Sequence, residues 1–146
     1  MNQTFSRRDL TFLLPALAAI SASAQQPAAV ETITSTIYDT NKIPFTGDSN
    51  KKGRRFFFSK THAGFKIEMH QTVLAAGKET HPPHKHVHEE IIIVTEGTFE
   101  ANVEGVKTTA PAGSVVVFGS NQTHNARNIG TTQCNYYVIE LRGDEA

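Results

Sequence analysis

Cys134 is the only cysteine in this 146-residue chain. No intrachain disulfide can form, and a domain of this size without one needs a hydrophobic core or an oligomeric partner. Nine phenylalanines, with many valines and isoleucines, can supply that core. Cys134 falls in a strand-like segment and is expected as a small buried side chain. The chain also lacks an excess of either charge, with 14 basic and 14 acidic residues. It has no basic field for nucleic acid and no polybasic membrane patch. A long hydrophobic run is missing as well. Leu10 to Ile20 is mostly apolar but interrupted by Pro15, and it is too short to span a bilayer comfortably. Beyond residue 24 no convincing helix pattern is present.

What is there begins with residues 1–24, which read as an export signal. Arg7 and Arg8 precede the apolar stretch, and Ala22-Ser23-Ala24 supplies a small-residue cleavage pattern. Ser6-Arg7-Arg8-Asp9-Leu10 resembles a twin-arginine signal, which implies a periplasmic or otherwise exported protein. The remaining 25–146 would carry 12 basic and 13 acidic residues. Residues 25–54 are expected to form an N-terminal arm with an edge strand over Val30 to Tyr38, available to a neighbouring subunit. Phe45 to Gly53 reads as a loop. Residues 55–146 are expected to form a single all-β domain.

The strand pattern carries that expectation. Arg55 to Ser59 is a short strand around three phenylalanines. Lys66 to Ala75 alternates with period two, so Met69 and Gln71 share one face while Glu68, His70, Thr72 and Leu74 share the other. If the Met69 face is internal, Gln71 is a pocket residue. Glu90–Thr95, Thr98–Val103, Val106–Thr109, Ser114–Phe118, Thr123–Asn128 and Gln133–Leu141 follow as further strands. Glu104-Gly105 reads as a tight hairpin turn. In the last strand Tyr137, Ile139 and Leu141 oppose Tyr136, Val138 and Glu140, and one set lines the interior. Many short strands with regular Gly and Pro punctuation argue for an antiparallel sandwich or barrel.

The chemistry is concentrated between Thr80 and Glu90, where His81, His84, His86 and His88 precede Glu89 and Glu90. Residues two apart in a strand project from the same face, so His84 and His86 can reach one point, and Glu90 has the same parity. His124, in another strand-like segment, can add a third imidazole. Imidazole and carboxylate suit Fe, Mn, Ni, Cu or Zn. His88 shares the parity of His86 and competes as a ligand. It is otherwise expected at the rim or bonded to a neighbour, and His81 is expected at the rim or in a loop. Asn128 is expected to fix a backbone turn rather than touch metal.

These residues resemble the two motifs of the cupins. Gly77, His84, His86, Glu90 and Gly97 match the first, and Gly105, Pro111, Gly113, His124 and Asn128 the second. The gap from Gly77 to His84 is one residue longer than the commonest spacing, and the six residues before Gly97 favour Glu90 over Glu89. The resemblance spans about Phe65 to Leu141. It implies a cupin-type jelly-roll β-barrel (a double-stranded β-helix) and a homodimer. It also implies one divalent metal per subunit, held by His84, His86, Glu90 and His124, with Fe or Mn ahead of Ni, Cu or Zn. Relatives with this ligand set include oxygenases and oxalate-degrading enzymes. The implied activity is therefore a metal-dependent oxygenase or decarboxylase acting on a small chelating or carboxylate substrate. The alternative is a module that binds metal or a small ligand without catalysis. No residue stands out as a general acid or base.

Overall fold

The computed structural model describes residues 29–143. The expected export signal lies outside them. Among the described residues are nine strands: β1 (Thr46–Gly47), β2 (Lys51–Lys60), β3 (Lys66–Leu74), β4 (Glu89–Glu96), β5 (Thr98–Val103), β6 (Val106–Pro111), β7 (Val115–Phe118), β8 (His124–Asn128) and β9 (Cys134–Gly143). They form a six-stranded sheet in the order β1-β2-β3-β9-β4-β7 and a three-stranded sheet in the order β6-β5-β8. Every strand pairing in both sheets is antiparallel. The all-β expectation holds, and most strand boundaries fall within a residue or two of the pattern.

One core joins the two sheets. Leu74, Ile92, Val94, Phe118, Cys134, Tyr136 and Val138 face inward from the large sheet, and Phe99, Ala101, Ala110 and Ala126 from the small one. Phe99 and Tyr136 meet across the layers with ring centroids 5.0 Å apart in an edge-to-face contact. Each fully buried large apolar side chain stabilises the fold by roughly 1.5–3 kcal/mol relative to exposure. Cys134 is completely buried, as expected, and burial pushes its thiol up to about 11.

Two turns explain the connections that matter most. Glu104 and Gly105 both have positive φ, 51° and 83°, the conformation that matches the twist of a two-residue hairpin. Gly97 has φ 81°, and a Cβ there would come within 2.6 Å of the Gln133 carbonyl oxygen. Only glycine lets the β4–β5 turn pass so close to the start of β9.

Three expectations need correction. The arm does not form a strand over Val30 to Tyr38. It makes one parallel bridge, Thr32 to Lys60, with Ile33 N–H donating to Lys60 O (2.8 Å) and Lys60 N–H to Glu31 O (2.8 Å). The arm therefore docks on its own β2, and Tyr38 packs on Phe57 with centroids 5.4 Å apart. The expected loop before Arg55 instead holds β1 and the first residues of a longer β2. Finally, Gln71 faces away from the interior. Its side chain accepts from Arg54 Nε (2.7 Å) and donates to Asn135 Oδ1 (2.8 Å). The inward face of β3 is the one with His70, Thr72 and Leu74, and that of β9 carries Tyr136, Val138 and Glu140.

Candidate metal centre

A cavity of about 290 Å³ opens between the sheets, walled by Ile92, Phe118, Ala126 and Val138 and by a cluster of histidines and acids. His84 and His86 are not in a regular strand, so strand parity does not bring them together. They lie in the loop before β4. A two-way bridge places His84 against the start of β8: His84 N–H donates to His124 O (3.1 Å), and His124 N–H donates to His84 O (2.8 Å). Asn121 N–H donates to His86 O (2.7 Å) and pins the next residues of the loop. Glu90 comes from β4, where it is in register with Phe118 on one side and Glu140 on the other.

The structure brings the four expected ligands together. Ring centroids of His84 and His124, and of His86 and His124, are each 4.8 Å apart. One nitrogen from each of these three rings lies within 4.8 Å of the other two. His86 Nε2 is 3.1 Å from Glu90 Oε1, and His124 Nε2 is 4.0 Å from Glu90 Oε2. His86 Nδ1 donates to His88 O (2.8 Å) and His124 Nδ1 donates to Gln122 O (2.8 Å). A carbonyl on Nδ1 fixes the tautomer and turns Nε2 toward the shared centre, as outer partners of metal-bound histidines do.

His124 gives the sharpest test of fit. Its side chain is fully buried and its ring stacks on Phe118 with centroids 4.3 Å apart. Burial holds its pKa below the ordinary histidine value, so it favours the neutral form that ligates. Nε2 is buried with no hydrogen-bond partner. A buried acceptor left unsatisfied costs about 1–3 kcal/mol. A cation among these side chains would remove that cost, and the donor set suits one.

The other two histidines differ from each other. His81 is half-buried in the loop beside His84, with centroids 4.1 Å apart, and its Nδ1 donates to Pro82 O (3.1 Å). Burial lowers its pKa. His88 is not at the rim. It is 7% exposed and lies 3.9 Å from Glu90 Oε1 and 3.8 Å from Glu140 Oε2.

Sequence reasoning missed a second acidic wall. Glu68, Glu140 and Glu90 stand directly opposite one another across β3, β9 and β4. Like charges so placed repel, and cations offset them. Arg55 Nε donates to Glu68 Oε1 (2.9 Å), and Arg142 Nε donates to Glu140 Oε2 (2.5 Å). His70 Nδ1, 3.5 Å from Glu68 Oε1, and then Arg55 hold the Glu68 carboxyl below its usual range. The signal was in the alternation, since Glu68 shares parity with Leu74 and Glu140 with Val138. What the pattern lacked was a rule for which parity faced inward. Thr72 and Tyr136 complete the cavity wall. Burial raises the Tyr136 phenol well above its ordinary value, so it stays a donor.

Comparison with known proteins bears on the fold. Residues 70–140 match the cupin domain family. No curated protein sequence matches the chain. Among solved structures, the chain is similar to an RmlC-like cupin from Shewanella frigidimarina, with TM-score 0.64 and 18% identity, over 77% of this chain and 95% of that one. It is also similar to KdgF from Halomonas sp., with TM-score 0.63 and 18% identity, over 76% of this chain and 97% of that one. At such identity the likeness shows the fold.

Proposed function

Residues 70–140 match the cupin domain family, and from that premise we propose that the chain is a cupin that binds one divalent transition metal through His84, His86, Glu90 and His124. Fe or Mn is the favoured ion. The proposed activity is that of an oxygenase or decarboxylase acting on a small chelating or carboxylate substrate, within a closed jelly-roll barrel. The observation that carries the metal reading is the orphaned His124 Nε2, buried beside His84 and His86 and 4.0 Å from Glu90 Oε2.

When bound, the ion would supply a Lewis-acid and redox centre that orients its reactants. The chain's own residues supply the surroundings. Ile92, Phe118 and Val138 exclude water from one side of the cavity. Tyr136, held protonated by burial, offers a hydroxyl donor on the same face of β9 as Val138. Lys51 and Arg142 also line the cavity and favour an anionic substrate, although Lys51 Nζ donates to Thr80 O (2.8 Å) and Arg142 pairs with Glu140.

The test has two stages. Metal analysis of protein purified without chelators is expected to find close to one Fe or Mn per chain. The loaded protein is then given small hydroxy-, keto- and dicarboxylates while oxygen uptake and carbon dioxide release are followed. Binding without turnover of any of them makes the protein a binding module. Zinc as the resident ion argues for hydrolysis or a structural role instead.

Export and dimerisation belong to the same proposal. Val115 and Val117 on the edge strand β7 are 62% and 59% exposed, in register with Ile93 and Ile91 of β4. Such an apolar edge suits a second copy of the chain better than open solvent. N-terminal sequencing of the secreted protein should begin near Gln25, and light scattering should give twice the chain mass. An uncleaved monomer refutes both.

A further inference from the structure

Deep in the cavity wall, His88 touches two of the proposed ligands and one residue that is not a ligand. Its ring lies parallel to that of His86, with centroids 3.7 Å apart and planes 1° apart. Its backbone carbonyl accepts from His86 Nδ1 at 2.8 Å. Its Nε2 stands 3.9 Å from Glu90 Oε1 and 3.8 Å from Glu140 Oε2. These last two contacts are too long for hydrogen bonds, so they act through charge and dipole in a poorly solvated wall.

Glu140 is itself fixed, because Arg142 Nε holds its Oε2 at 2.5 Å. It also lies directly across the sheet from Glu90. Two carboxylates side by side on one face repel, and a ligand carboxylate pushed by its neighbour would swing away from the ion. The His88 imidazole is the group in contact with both. The same residue limits how the His86 ring can turn, through the stack on its face and the bond to its Nδ1.

We propose that His88, anchored by Glu140, is a positioning residue for the metal centre. It sets the orientation of Glu90 and His86 without itself ligating. This rests on the metal reading above. Outer partners of this kind are worth about 10–100-fold in metal affinity.

Co²⁺ is the probe, because its absorption bands report ligand geometry directly. Three variants separate the roles. His88→Phe keeps a flat ring for the stack and deletes both nitrogens. His88→Gln restores a donor without the ring. Glu140→Gln removes the anchoring charge with little change of shape. Co²⁺ dissociation constants come from competition with a coloured chelator, and the spectrum is recorded at saturation. We expect roughly 10–100-fold weaker binding and a shifted spectrum for His88→Phe. His88→Gln should recover part of the affinity, and Glu140→Gln should bind about tenfold more weakly. A purely structural role would lower the melting temperature but leave the affinity and spectrum of the folded variants as in the parent.

Parent-like Co²⁺ affinity and spectrum in His88→Phe overturn the proposal. If that variant does not fold, parent-like values in both His88→Gln and Glu140→Gln overturn it equally. The metal reading fails separately. If the parent chain binds no Co²⁺, or if His124→Ala binds it as the parent does, the site itself is refuted and the role of His88 falls with it. Loss of binding in His124→Ala with unchanged binding in His88→Phe refutes only the positioning role.

Discussion

His124→Ala is expected to lose metal binding altogether at micromolar metal. Structural four-ligand zinc sites bind with roughly 10–16 kcal/mol, so one ligand of four is worth about 3 kcal/mol or more. At 1.4 kcal/mol per tenfold, that is a loss of over a hundredfold. It exceeds the effect of any outer partner. The loss should be larger than this average, because His124 is the ligand held most rigidly. It is fully buried, stacked on Phe118, tied by its Nδ1 to Gln122 O and by its backbone to His84. Two measurements check this. Metal content after dialysis should fall to background in the variant. In thermal melts, a ligand at a hundred times its dissociation constant adds about 2.7 kcal/mol to stability. The parent chain should therefore melt higher with metal than without, and the variant should not respond. The variant's metal-free form should also melt lower, since alanine leaves a void beside Phe118. His81→Ala is the contrast, because His81 lies in the loop beside His84 and its Nδ1 is committed to Pro82. It should keep most of the affinity. Parent-like occupancy in His124→Ala would remove His124 from the ligand set.

Much of this arrangement was legible before any coordinates. Strands such as β5 and β9 show in the alternation because each has one drier face, which is what a period of two records. The pairing of Glu104 with Gly105 shows because a two-residue turn needs positive φ at both positions. Less local features were hidden. His84 and His86 were gathered by a strand-parity argument, yet they sit in a loop and meet through the bridge to His124. What gathers His84, His86 and His124 is that backbone bridge, which parity did not contain. The inward face of β3 could not be read either. Gln71 and His70 are both polar, and only the pairing of β3 with β9 decides that His70 faces the cavity and Gln71 faces Arg54 and Asn135. The row Glu68–Glu140–Glu90 follows from the register of three strands distant in sequence. The arm was misjudged because β-branched composition between Thr32 and Ile37 reports tolerance for extended backbone, not the presence of a partner strand.

Asn128→Ala is expected to be among the most destabilising substitutions in the chain, although the side chain is not among the proposed ligands. Asn128 is completely buried. Its Nδ2 donates to Leu74 O (3.0 Å) and to Thr132 O (2.8 Å), and its Oδ1 accepts from Gly130 N–H (2.9 Å). Three backbone groups from the end of β3 and the β8–β9 turn are thus satisfied by one amide. Alanine leaves them without that partner in a site where water has little access. At about 1–3 kcal/mol for each buried group left unsatisfied, with some relaxation, the cost is about 3–5 kcal/mol. That is a large share of the 5–15 kcal/mol typical of a domain, and it lowers the melting temperature by roughly 10–20 °C. Asn128→Asp sharpens the argument through pH. An ionised carboxylate would turn an acceptor toward the Leu74 and Thr132 carbonyls, so burial and those carbonyls raise its pKa in the folded state. A raised acid pKa means that stability is fully present below the unfolded value of about 3.9 and is lost as pH climbs through the folded value. The gap between Asn128→Asp and the parent chain should therefore narrow on acidification and widen toward neutrality. Melts at several pH values check this, and a gap that stays constant rules out the buried-acceptor explanation. Metal binding supplies the second arm. Well below its melting point, Asn128→Ala should bind Co²⁺ nearly as the parent does, because its bonds tie strands rather than ligands. Strong loss of affinity in the folded variant would mean that this motif asparagine acts on the site after all, through β8 and the placement of His124.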